Sequence, residues 1–135
     1  MDAPGKGILK VASILFIIFG AIATFLYVLG FFASAALTTF IGEFSTVAAL
    51  AAGGVLMIGI ILHLIVSVLE LIIGFVGLRK SGDPSDANFF ITVGFILGGL
   101  ALIGMLLNFR ISGLIGFVLP IMYILGGYMN KKETV

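Results

Sequence analysis

The chain has no cysteine, no tryptophan and a single histidine, and only seven basic and six acidic residues among 135. Without cysteine there can be no disulfide, no thiolate metal site and no thiol nucleophile. One histidine and no cysteine leave too few ligands for a metal centre, and no cofactor is expected. The formal net charge of +1 gives no electrostatic footprint for nucleic acid. Charged residues make up 10% of the chain, against roughly a quarter in soluble domains. What fills the space is apolar: 61% of the residues are hydrophobic and 19 are glycine. That is the composition of a protein dissolved in lipid.

Four apolar runs, Ile8–Leu37, Val47–Leu78, Phe89–Phe109 and Leu114–Met129, reach or approach the ~20 residues that cross a ~30 Å hydrocarbon core as helix. With their flanks they predict spans over about 8–37, 47–78, 86–109 and 113–130, one transmembrane domain over 1–135. Lys6 and Lys10 ahead of the first run, with Ala33-Ser34-Ala35 after it, imitate a secretory signal. The run exceeds the roughly 7–15 residues of such a core, so it is read as an uncleaved first span. Lys6, Lys10, Arg79, Lys80, Lys131 and Lys132 fall on one side of this topology and Arg110 alone on the other. The positive-inside rule then places the chain in the cell membrane with both termini cytoplasmic.

The second run is the only one with ionisable side chains in its interior. His63, Ser67, Glu70, Gly74 and Gly77 are spaced four, three, four and three apart, so all five share one helix face. Aliphatic residues occupy the other faces, and the polar and small stripe is expected to look inward, away from lipid. Ser13, Gly20, Tyr27 and Ser34 in the first run repeat every seven residues, with Thr24 on the same stripe. Gly94, Gly98, Ala101, Met105 and Asn108 mark the third, and Gly113, Gly116, Pro120, Tyr123 and Gly127 the fourth. Four stripes at a 3.5-residue period and short second and third loops predict an all-α, up-down-up-down, left-handed four-helix bundle. Gly20, Gly74, Gly77, Gly94, Gly98, Gly116 and Gly127 are its expected packing positions.

Local signals add detail. Asp83-Pro84 reads as an N-cap followed by proline at the first helical position, and Ser112 as the cap of the fourth span. Pro120 is expected to bend that span. The first two spans are longer than a bilayer, so they either project or break near Gly53-Gly54. Depth counted at ~1.5 Å per residue from the basic anchors puts Glu70, Gly20, Gly94 and Tyr123 in one layer, and Tyr27 and His63 in the next. Tyr123 is therefore the expected partner of Glu70, and Tyr27 of His63. An anion is strongly disfavoured at this depth, so Glu70 is expected as the neutral acid sharing a hydrogen bond.

Gly5-Lys6-Gly7-Ile8-Leu9-Lys10-Val11, Gly77-Leu78-Arg79-Lys80 and Leu119-Pro120-Ile121-Met122-Tyr123 resemble segments of small uncharacterised four-span membrane proteins of Gram-positive anaerobic bacteria. That resemblance implies the four-span fold and no activity. Small multidrug-resistance transporters are similar in size and also use a membrane glutamate. Theirs lies in the first span, whereas Glu70 is in the second and the tryptophan signature is missing, so that assignment is rejected.

Two functions follow. The first is a non-enzymatic protein acting by helix–helix association, as a homo-oligomer or as a subunit beside another membrane protein. The second is a proton- or cation-coupled transporter or channel using Glu70 and His63, tuned by Tyr27 and Tyr123. For each of these residues the plain reading, a satisfied hydrogen bond that fixes helix register, competes with the functional one. An enzyme is not expected, because one histidine, no cysteine and no aqueous cleft leave little to work with.

Overall fold

A computed structural model describes residues 3–107 and 116–133. Among the described residues the regular structure is all helix, with no strand, and three helices are long and apolar enough to cross a membrane. α1 is Lys6–Gly42, α2 Thr46–Lys80, α3 Ala87–Leu107 and α4 Val118–Glu133, with a short 3-10 turn, Pro84–Asp86, ahead of α3.

α1 and α2 run further than expected. Thr38 and Thr39, beyond the expected end of the first span at 37, lie inside α1, where their hydroxyls bond the carbonyls of Ser34 and Ala35 at 2.8 and 3.0 Å. Threonine back-bonds to its own helix in this way. Only Glu43–Ser45 separates the two helices, and Ser45 caps α2 by accepting the Ala48 N–H at 3.3 Å. α2 passes through Gly53-Gly54 without interruption. At 37 and 35 residues, the two helices are about 56 and 53 Å long, well beyond a hydrocarbon core of ~30 Å.

Arg79 and Lys80 end α2, where positive charge complements the carbonyl end of the helix. The turn after it follows the expected capping: Asp83 Oδ1 accepts the Ser85 N–H at 2.9 Å and Pro84 opens the 3-10 turn. Lys80 meets Asp86 at 2.6 Å. Asp83 is held below the usual carboxylate range first by the Ser85 hydroxyl, then by the Ser85 N–H and the nearby Lys80 charge.

α4 begins later than expected. Pro120 is its third residue, so it lies in the first turn, where no N–H has an intrahelical acceptor. The first intrahelical bond is Ile121 N–H to the Phe117 carbonyl at 2.9 Å. Proline costs nothing there, and the expected bend has no cause. Gly116 lies exposed in the turn before the helix. Asn108, Arg110, Ser112 and Gly113 lie outside the described residues.

The chain divides into two compact units, one of Met1–Phe16 with Ile73–Val135 and one of Ile17–Ile72. In the first, Leu9, Ala12, Phe16, Phe90 and Tyr123 form a buried core. The Tyr123 ring stands 5.0 Å from Phe16 and 5.2 Å from Phe90 between centroids. Its glycines let helices touch at backbone distance. A Cβ on Gly94 would lie 2.6 Å from Ile124 Cγ1 and 2.9 Å from the Pro120 carbonyl, and one on Gly127 2.8 Å from Ile91 Cγ1. Gly98 is looser, with Pro120 Cβ at 3.8 Å. The second unit is a two-helix hairpin. A Cβ on Gly20 would lie 3.0 Å from the Leu71 nitrogen, and one on Gly53 2.6 Å from Thr38 Cγ2.

Candidate intramembrane polar site

Within the unit Ile17–Ile72, three polar contacts join α1 to α2. Thr24 donates to Ser67 Oγ at 3.0 Å, and Ser67 donates to the Leu64 carbonyl of its own helix at 2.9 Å. Ser34, buried, bonds the Phe31 carbonyl at 2.9 Å and reaches Met57 Sδ at 3.5 Å. Tyr27 and His63 pair as expected, their rings tilted by 33° with centroids 5.2 Å apart. His63 Nδ1 lies 2.7 Å from the Gly59 carbonyl. A carbonyl can only accept, so Nδ1 carries the proton and a neutral ring keeps Nε2 as an acceptor. Tyr27, Val55, Leu56, Gly59, Ile60 and His63 line a shallow, mostly apolar groove of about 230 Å³.

The inward orientation expected of the α2 stripe holds only in part. Ser67, Gly74 and Gly77 are buried and Glu70 is half-buried, but His63 is exposed. Inside this unit α2 has α1 as its only neighbour, and one helix covers one side of another. Ser67 and Leu71 meet it; His63 lies on the flank. Among the described residues Glu70 has no hydrogen-bond or ion-pair partner.

Tyr123, the expected partner of Glu70, is engaged inside its own unit. In the unit formed by the two ends of the chain, its hydroxyl lies 2.9 Å from Ser13 Oγ and 3.3 Å from the Ile73 carbonyl, directly over Gly77. Depth counting failed because it set every basic anchor at one level. Tyr123 is eight residues from Lys131, while Gly77 is two from Arg79. The lysines of α4 therefore stand about 9 Å further out than Arg79.

Asn130 is not among the expected site residues, although it continues the fourth stripe three residues beyond Gly127. It is fully buried, accepts the Gly5 N–H at 2.7 Å, and leaves its own Nδ2 without a partner. Its sign in the sequence is an amide beside Lys131-Lys132 with glycine four residues before it, at Gly126, whose carbonyl backs onto Gly5. Among the described residues no group of histidine and carboxylate side chains could hold a metal ion. No protein-family model, no curated protein and no solved structure matches this chain.

Proposed function

We propose that the protein is a four-span protein of the cell membrane, with both termini cytoplasmic, that works by helix–helix association as a homo-oligomer or as a subunit beside another membrane protein. The observation that carries this reading is the state of α2. Its acid has no partner among the described residues, and its imidazole, exposed, bonds only to its own helix. In hydrocarbon an unsatisfied polar group costs several kcal/mol, so a protein surface has to complete both.

The six-against-one distribution of lysine and arginine supports termini on the same, cytoplasmic side. That requires an even number of crossings, and α4 supplies the fourth. At 16 residues it is about 24 Å long, short for a span. Packed as an up-down-up-down left-handed bundle, such helices accord with the resemblance to small four-span proteins of Gram-positive anaerobes.

Native mass spectrometry of the protein extracted with its surrounding lipid tests the reading. A mass above that of one chain, from further copies or a second polypeptide, is expected. A single chain throughout, with no neighbour captured by crosslinking in native membranes, would remove it.

The alternative of a proton- or cation-coupled transporter draws on the groove at His63. Glu70 is not among the residues that line it, and its walls are mostly apolar, so the geometry favours association. Flux into liposomes that Glu70→Gln abolishes would reverse that preference.

A further inference from the structure

The flank of α2 that bears the imidazole and the acid repeats as Ala52, Leu56, Gly59, His63, Val66 and Glu70, spaced four, three, four, three and four. This is the 3.5-residue period of a left-handed helix pair. It adjoins the side that α1 covers, which carries Gly53, Met57, Ser67 and Leu71, and meets α1 only at its edge, where Tyr27 stands beside His63 and the groove. Leu56 is 44% and Val66 49% exposed, and Ala52 and His63 are exposed with them. Gly59 has open space where a side chain would stand, and the 230 Å³ groove lies over it. A heptad face with a hole at its smallest residue is one half of a knobs-into-holes contact.

Resting on the association reading above, we infer that the occupant of this face is a second copy of the chain, its α2 parallel to the first across a two-fold axis. Arg79 and Lys80 anchor one end of α2, so two copies in one membrane lie parallel and a two-fold axis sets each residue against its own counterpart. Every layer must then be complementary to itself. An un-ionised carboxylic acid carries a hydroxyl donor beside a carbonyl acceptor, so two Glu70 side chains close a cyclic pair in which each hydroxyl donates to the other's carbonyl. Gly59 against Gly59 brings the backbones together, and Leu56 and Val66 supply apolar layers. At His63, with Nδ1 tied to Gly59, one water donating to both Nε2 atoms completes the layer.

The absence of native cysteine makes disulfide scanning clean. Leu56→Cys, His63→Cys and Val66→Cys are oxidised in native membranes beside Gly54→Cys, Ile58→Cys, Ile61→Cys and Ile65→Cys from the opposite side of α2. Dimers are expected at 56, 63 and 66 and at none of the other four. Added to Val66→Cys, Glu70→Ala should lower the crosslinked fraction about tenfold. Glu70→Gln, whose amide also donates and accepts, should preserve it. Crosslinks concentrated at 54, 58, 61 and 65, or spread evenly around the helix, overturn the proposed face and leave association standing. A second, different polypeptide in the native complex, with no crosslink at 56, 63 or 66, overturns the second copy alone. A single-chain mass with no crosslink at any position removes both readings.

Discussion

Gly77→Ala tests the packing that holds the two ends of the chain together. By helix propensity alone, alanine in place of glycine stabilises by about 1 kcal/mol. At this position the new methyl would run into the Tyr123 hydroxyl and lie 2.5 Å from Ser13 Oγ and 3.1 Å from Tyr123 Cζ. The tyrosine cannot yield, because its ring is fully buried between Phe16 and Phe90. Overpacking costs about 1–3 kcal/mol, and parting Ser13 from Tyr123 about 1 kcal/mol more. The net expectation is a loss of about 1–3 kcal/mol, read by reversible denaturant titration in lipid–detergent micelles. Gly99→Ala is the control: nothing lies within 4 Å of its Cβ, so it should match or slightly exceed the parent. Tyr123→Phe, which removes the obstructing oxygen, should recover part of the Gly77→Ala loss. A neutral or stabilising Gly77→Ala, or a loss that Tyr123→Phe leaves unchanged, would refute the packing described.

Asn130→Ala removes the acceptor of the Gly5 N–H and should cost about 1–2 kcal/mol, seen as faster hydrogen exchange at Gly5 and earlier proteolysis of the N-terminal segment. Thr24→Val removes one contact between α1 and α2 while Ser67 keeps the Leu64 carbonyl, so thermal unfolding should show a loss of only about 0.6 kcal/mol. Asp83 titrates below its unfolded value, so its capping contribution is complete above the ordinary carboxylate range and disappears as pH falls through the lowered value. Ser85→Ala should move that titration up towards the ordinary range, measured on the Asp83 carboxyl carbon by NMR.

The period of the apolar pattern carried most of the architecture. It marked the three long helices, the α1 stripe of Ser13, Gly20 and Ser34, and the buried Ser67, Gly74 and Gly77 of α2, because side chains 3.5 residues apart share a face whatever the solvent. Capping chemistry gave Asp83-Pro84. Helix ends were less legible: hydropathy cannot show that Thr38 and Thr39 satisfy their hydroxyls on their own helix, so the outer turn looked longer than Glu43–Ser45. Depth was the weakest inference, since the distance from a lysine to the membrane surface varies from helix to helix. That variation set Tyr123 over Gly77. The exposure of His63 was not legible either. A stripe gives the direction of a side chain on its own helix, not whether a neighbour stands there.

The central claim, that protein rather than lipid meets the His63 and Glu70 flank of α2, is tested most directly by pulsed electron paramagnetic resonance. A spin label on Val66→Cys is measured in bilayers with lipid in large excess. Helices packed at about 8–10 Å predict a narrow population of label separations at roughly 10–25 Å that survives dilution with lipid. A dipolar signal that fades in proportion to dilution, with the label's mobility and oxygen contact those of a chain-facing site, would contradict it.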